Sequence, residues 1–356
     1  MNINEKSLII AGPCSAESRE QTIETCCQLA RTGKVDVLRA GIWKPRTKPG
    51  SFEGVGSHGL QWLTEVKQLT GLPVATEVAT AKHVEEVLRH NIDVVWIGAR
   101  TTVNPFSVQE LADALRGADI TVFVKNPMVP DVNLWQGAVE RIINAGIKNV
   151  GLIHRGFSSY GSEYRNNPMW HIAIEMRRRM SDIPMLCDPS HICGNREKIE
   201  SIIQKSNDLN YNGLMVECHV NPDEALSDAE QQLTPIQFSE ILSRIVWRDK
   251  NLLSGKGAEA LQIMRAEIDQ IDSELIDLLS RRMKISDRIG VVKRQNNVAI
   301  LQSHRWNSIV ERMLNQTDRL TLDGDFLVKL MEIIHLESIR RQTEIMNKQE
   351  LKLPTC

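Results

Sequence analysis

Net charge of either sign is almost missing from this chain: 43 Lys and Arg against 45 Asp and Glu leave -2 over 356 residues. Such a balance gives no reason to expect nucleic acid or an anionic membrane surface as a partner. No apolar run approaches the roughly 20 residues a membrane helix needs. The opening Met-Asn-Ile-Asn-Glu-Lys carries acid where a secretion signal would be apolar, so none is expected. CxxC spacing is absent too. The seven cysteines, at 14, 26, 27, 187, 193, 218 and 356, are odd in number, which argues against a disulfide framework and for a reducing cytoplasm. Internal repeats and low-complexity tracts are lacking. What remains is an ordinary globular composition, 42% hydrophobic and 25% charged, in a chain long enough for two domains.

Eight short apolar runs alternate with longer amphipathic stretches from residue 7 to about 247. Runs 8–11, 37–40, 74–77, 94–99, 120–125, 150–154, 185–188 and 214–219 read as buried strands, with helical patterns such as 82–90, 132–145 and 195–206 between them. Eight such units in about 240 residues suit a closed (β/α)8 barrel better than an open doubly wound sheet.

The alternation stops after Trp247, and Ser254-Gly-Lys-Gly marks a linker. Beyond it, Leu261, Met264, Ile268, Ile271, Leu275, Leu278, Ile285, Ile289 and Val292 recur at three- and four-residue steps apart from one gap. That spacing predicts a helix of about 33 residues and about 50 Å, which needs a partner along its length, so dimerisation is expected. Two more helices are predicted near 303–316 and 323–347. The predicted architecture is a (β/α)8 TIM barrel at 1–248, a linker at 249–259 and an all-α three-helix dimerising domain at 260–356.

Chemistry in such a barrel sits at the C-terminal ends of the strands. Those positions hold Cys14, Arg39 with Lys44 and Arg46, Glu77, Arg100, Lys125, Arg155, Asp188 with His191, and Glu217 with His219. Six cations on one rim would repel one another unless anions lie among them, and Arg with Lys suits phosphate and carboxylate. Any one of them could be half of a structural ion pair; six together imply a substrate with more than one anionic group. Cys14, His191, Glu217 and Asp228 could bind a borderline divalent ion such as Mn, Fe, Co or Zn. Cys187, Cys193, Cys218 and His219 compete for that role, and residue chemistry does not choose among them.

In order along residues 7–247, Ala11-Gly-Pro-Cys-Ser, Lys44-Pro-Arg-Thr, Ile97-Gly-Ala-Arg-Thr-Thr, Val124-Lys-Asn-Pro, His154-Arg-Gly, Cys187-Asp-Pro-Ser-His and Ala225-Leu-Ser-Asp resemble the type I 3-deoxy-D-arabino-heptulosonate 7-phosphate (DAHP) synthases, most closely the β subgroup. The resemblance implies a divalent metal, manganese first, on Cys14, His191, Glu217 and Asp228. It implies phosphoenolpyruvate on Lys44, Arg100, Lys125 and Arg155 with Arg39 at its carboxylate, and the phosphate of erythrose 4-phosphate on Arg46 and Thr47. Lys44 would be the proton donor, its pKa lowered by neighbouring cations. The stretch Gly156–Asn167 departs from the subgroup's usual loop. The runner-up is a 3-deoxy-octulosonate 8-phosphate synthase-like barrel with a non-catalytic helical dimerisation or regulatory module, disfavoured because those enzymes lack Lys-Pro-Arg-Thr.

Arg282 interrupts the apolar stripe of the long helix, four residues after Leu278 and three before Ile285, while Leu330 and Ile334 lead by fours to Ser338 and Gln342. Arg is almost never buried without a partner, so this marks either a polar cavity or a register-fixing ion pair. Leu261-Gln-Ile-Met-Arg-Ala-Glu-Ile-Asp, Leu278-Leu-Ser-Arg-Arg-Met and Ile289-Gly-Val-Val-Lys resemble the all-helical chorismate mutases. That implies rearrangement of chorismate to prephenate without a cofactor, on Arg265, Arg282, Lys293, Arg305, Ser338 and Gln342. The arginines would hold the carboxylates, with Lys293 and Gln342 at the ether oxygen. Trp306 and Gln302 stand where the family usually has acids. Since Leu8 already begins the first strand, feedback by prephenate or chorismate through the helical domain is a further expectation.

Overall fold

The computed structural model describes residues 7–44, 50–249, 256–315 and 321–347. Arg46, Thr47 and much of the expected linker lie outside the described residues. The chain divides after Lys250 into two units.

In the first unit, β1 (Leu8–Gly12), β2 (Val37–Arg39), β3 (Val74–Val78), β4 (Val94–Ile97), β5 (Thr121–Lys125), β6 (Asn149–His154), β7 (Met185–Cys187) and β8 (Gly213–Glu217) are all parallel and close as β1-β2-β3-β4-β5-β6-β7-β8. Each predicted strand is present, its ends within about two residues of the predicted ones. The helices outside are α1 (Arg19–Arg31), α2 (His58–Thr70), α3 (Ala81–Arg89), α4 (Ala99–Thr102), α5 (Pro105–Leu115), α6 (Val132–Asn144), α7 (Trp170–Arg179), α8 (Pro189–Cys193), α9 (Ile199–Asp208) and α10 (Pro235–Arg244).

Strand side chains alternate between two apolar layers. Ile9, Leu38, Val95, Val122, Val124 and Leu152 point outward to the helices. Ile10, Val37, Ala75, Trp96, Phe123, Ile153, Leu186 and Met215 fill the barrel. Two residues farther along, the inward face changes chemistry: Val37 leads to Arg39, Ala75 to Glu77, Phe123 to Lys125, Ile153 to Arg155, Leu186 to Asp188 and Met215 to Glu217. The period that builds the core therefore aims six ionisable groups at one mouth.

The second unit has α11 (Lys256–Gln295), α12 (Ser303–Leu314) and α13 (Gly324–Asn347). At 40 residues, α11 is about 60 Å long. It packs along α13, and α12 packs on α13. The contact differs from the expected stripe. Met283, Ser286 and Gly290 are the buried positions of α11, and a Cβ at Gly290 would come within 3.3 Å of Gln342, so the helices nearly touch there. The predicted stripe from Met264 through Val292 stays exposed in the single chain. No helix among the described residues is long and apolar enough to cross a membrane.

Candidate active sites

At the barrel mouth, the ligand atoms of Cys14, Glu217 and Asp228 all lie within 4.8 Å of one another. Cys14 follows β1, and its Sγ donates to Asp228 Oδ2 at 3.2 Å. Asp228 sits in the loop after β8, in the left-handed region at φ 49. That loop is tied back to β1: Gln232 Oε1 accepts from the Cys14 amide at 2.9 Å, and the Ser15 and Ser227 hydroxyls are 2.5 Å apart. His191 stands at the edge of the group, its Nε2 3.7 Å from Glu217 Oε1.

Asp188 determines how His191 faces. It caps α8, accepting from the His191 amide at 3.1 Å, and also takes His191 Nδ1 at 3.0 Å. With Nδ1 donating to Asp188, Nε2 is left unprotonated beside Glu217, its lone pair free for a metal ion. Its other oxygen receives Lys125 Nζ at 2.7 Å. Cys187, Cys193 and Cys218 pack in the outer apolar layer, and His219 faces Glu17 at 3.5 Å. None of these four belongs to the group of liganding atoms found among the described residues.

The donors suit a borderline divalent ion: a thiol, an imidazole and two carboxylates. Glu217 Oε1 is buried without a hydrogen bond, although Arg39 Nη2 is 3.3 Å away. Burial, then Glu217, pushes the Cys14 thiol up to about 12, partly offset by Lys44. Burial opposes ionisation of Glu217 and Asp228, yet positive charge, from His191 when protonated and then from Arg39 and Lys44 at Glu217 and from Arg165 and Lys44 at Asp228, holds both below the ordinary carboxylate range.

Lys44, Arg100, Lys125 and Arg155 line a single cavity with Glu77, Arg165, His191 and Asp228. Lys44 Nζ donates to the Cys14 carbonyl at 3.0 Å and to its sulfur at 2.9 Å. Its pKa moves opposite to the expectation. Burial lowers it, but Cys14, Glu217 and Glu77 together raise it above the ordinary lysine value, outweighing burial and the charge of Arg39. Arg155 is pulled down to about 10 by burial, and Arg165 and Arg100 add repulsion that Asp188 partly offsets. Arg39 is 1% exposed, with Nε and Nη1 lacking partners among the described residues.

Two contributors here carry no motif. Trp96, fully buried, lies beneath Arg39 at 4.6 Å and Lys125 at 5.7 Å and donates from Nε1 to Glu77 Oε2 at 3.0 Å. Its inward position follows from strand alternation and was legible. A Cβ at Gly98 would meet Glu77 Oε1 at 2.2 Å, so only glycine leaves that carboxylate room. Arg165 adds a sixth cation among the described residues: its Nη1 donates to Asp228 Oδ1 at 3.0 Å and Gln231 Oε1 at 2.5 Å. It belongs to the stretch 156–167, which no periodicity orders.

Residues 3–254 match the model of the DAHP synthetase I family. The chain belongs to that family. It is 34% identical over 237 residues to the phospho-2-dehydro-3-deoxyheptonate aldolase of Thermotoga maritima, spanning 67% of this chain and 68% of that protein. The crystal structure of that Thermotoga enzyme superposes with a TM-score of 0.61 at 31% identity, over 67% of this chain and 68% of the other. The 2-dehydro-3-deoxyphosphooctonate aldolase of Bordetella petrii is more distant, 27% identical over 68% of this chain and 90% of its own length. DAHP synthases of this family are generally metal-dependent. Residues 264–343 match chorismate mutase type II. The protein is therefore an enzyme joining a DAHP synthase domain to a chorismate mutase domain, which imply phosphoenolpyruvate, erythrose 4-phosphate and chorismate as substrates.

In the mutase domain, polar side chains meet between α11 and α13. Arg282 Nη1 donates to Ser338 Oγ at 2.6 Å, and Gln342 Nε2 to Ser286 Oγ at 2.9 Å. Gln342 Oε1 is buried without a partner among the described residues. Burial lowers the pKa of both Arg282 and Lys293, and Lys293 Nζ donates to the Ile300 carbonyl at 2.5 Å. Gln302 precedes α12 as its N-cap without a side-chain cap bond. Arg265 and Arg305 are exposed. Arg265 is 17 residues before Arg282 on one helix, about 25 Å along its axis, so the two cannot grip one small molecule within a single chain.

Proposed function

We propose that the barrel mouth condenses phosphoenolpyruvate with erythrose 4-phosphate on a divalent ion, and that the polar pocket of the helical unit rearranges chorismate to prephenate. The convergence of Lys44, Arg100, Lys125 and Arg155 on one cavity beside Cys14, Glu217 and Asp228 carries the first reading. Residues 1–248 would form the synthase domain, 260–356 the mutase domain and 249–259 the link, which the division after Lys250 supports.

Cys14, His191, Glu217 and Asp228 would hold the metal, and manganese is the ion we assign, with Fe, Co or Zn sharing its ligand preference. Such an ion supplies Lewis acidity toward the sugar aldehyde. The chain does the rest. Lys125, anchored by Asp188, with Lys44, Arg100 and Arg155 binds the phosphate and carboxylate of phosphoenolpyruvate. Arg39 turns unpaired N–H groups to the carboxylate, and Arg46 with Thr47 would take the sugar phosphate. Lys44 holds a proton beside the sulfur and can give it to the nascent alkoxide. Water adds at C2 as phosphate departs, and the cations stabilise that leaving group.

In the mutase, Arg282 and Lys293 act as preorganised positive charge in a desolvated pocket, with Ser338, Gln342 and Arg305 completing the contacts. Arg265 would come from a second copy. The exposed stripe from Met264 to Val292 supports that copy, since so long an apolar face is costly in water. The same domain would also carry feedback by prephenate or chorismate to the synthase. A reducing cytoplasm suits the free thiols.

Supplied with phosphoenolpyruvate and erythrose 4-phosphate, the protein should release one phosphate per phosphoenolpyruvate. EDTA should abolish the reaction and manganese restore it, while chorismate consumption by the same preparation continues in EDTA. Phosphate release undiminished by exhaustive chelation contradicts the synthase reading; chorismate loss that stops with EDTA contradicts the mutase one.

A further inference from the structure

His335 lies three residues before Ser338 and seven before Gln342 on α13, so the three side chains share one helical face. Its ring stacks on Trp306 of α12, with centroids 4.6 Å apart and planes 21° from parallel. Its Nε2 is enclosed and has no hydrogen-bond partner among the described residues. A buried ring nitrogen left this way calls for an acceptor or donor that the protein does not supply.

The surroundings limit what that group can be. Burial, then the charges of Arg282 and Lys293, hold the His335 pKa below the ordinary histidine value. The ring is therefore neutral near pH 7, with one nitrogen donating and the other accepting. A neutral ring between two cations adds little to the grip on a carboxylate, but it suits a hydroxyl, which both gives and takes a hydrogen bond. Chorismate offers two carboxylates and an ether oxygen to the cations, and one ring hydroxyl besides. Trp306 has only an N–H to offer, and its face is already taken by the imidazole.

We propose that His335 Nε2 hydrogen-bonds the ring hydroxyl of chorismate, with Trp306 fixing the imidazole in place. The proposal rests on the assignment of Arg282 and Lys293 to that substrate. It is tested in the full-length protein with His335→Phe, which keeps the stack and loses both nitrogens, and His335→Gln, which keeps a hydrogen-bonding end. Each is assayed on chorismate and on its analogue lacking the ring hydroxyl, with melting temperatures recorded.

On chorismate, His335→Phe should lose about tenfold in kcat/KM, the size expected for one such bond. His335→Gln should stay within about threefold, and on the deoxy analogue the Phe variant should match the wild type. Unchanged turnover of chorismate by His335→Phe overturns the proposal. So does an equal loss on both substrates, which would make the ring a packing element only. Arg282→Ala is measured alongside: full mutase activity there removes the underlying site assignment, whatever His335 does.

Discussion

Cys14→Ala should leave a folded barrel that no longer retains a divalent ion and releases phosphate at least about a thousandfold more slowly, the scale of several kcal/mol of Lewis-acid stabilisation. The sulfur touches Asp228 Oδ2 at 3.2 Å and Lys44 Nζ at 2.9 Å, so removing it takes away the centre of the group. The fold should survive, because Cys14 is small and its backbone contacts persist: the amide to Gln232 and the carbonyl to Arg39 Nη2 and Lys44 Nζ. Metal content after gel filtration, the melting temperature and phosphate release together check this. A metal-free variant with full activity would refute the ligand assignment.

Arg282→Ala should cut mutase kcat/KM by about a hundredfold to a thousandfold, as expected for one preorganised charged donor in a desolvated pocket. Its guanidinium is half-buried, and Nη1 is held on Ser338 Oγ at 2.6 Å, so the charge is fixed before substrate arrives. Arg282→Lys keeps the charge but loses the planar fork, and should recover only part of the loss. Phosphate release by the same preparation serves as the control for folding. A mutase rate untouched by Arg282→Ala would leave these helices a role in association alone.

The barrel was legible because strand alternation is a strong local signal, and extending it two residues past the core names Arg39, Glu77, Lys125, Arg155, Asp188 and Glu217. Loops were not. Arg165 and Gln231 reach the mouth from segments without periodicity, and Gln231 Nε2 meets Glu217 Oε2 at 2.6 Å. The direction of the Lys44 shift also differs from the expectation: the sequence shows cations around it, whereas in the fold Cys14, Glu217 and Glu77 outweigh burial and the charge of Arg39.

In the helical half, the apolar stripe was clear but its neighbour was not. Spacing says that a face must be covered, never by which helix. The chain's own contact turns out to run through Met283, Ser286 and Gly290. His335 also escaped notice, since a lone His near apolar residues usually means an ordinary core position. Its unpartnered Nε2 appears only in three dimensions.

The claim that Cys14 binds metal as a thiolate has its most direct test in metal affinity measured against pH. In the metal-free protein burial pushes this thiol up to about 12, whereas burial holds the His191 pKa below the ordinary imidazole value and nearby positive charge, including Arg39 and Arg165, holds Glu217 and Asp228 below the ordinary carboxylate range. Between about pH 6.5 and 8, binding should therefore displace one proton, and manganese affinity should rise about tenfold per pH unit. A pH-independent affinity across that window would mean that no thiol is deprotonated, and the proposed centre would be wrong.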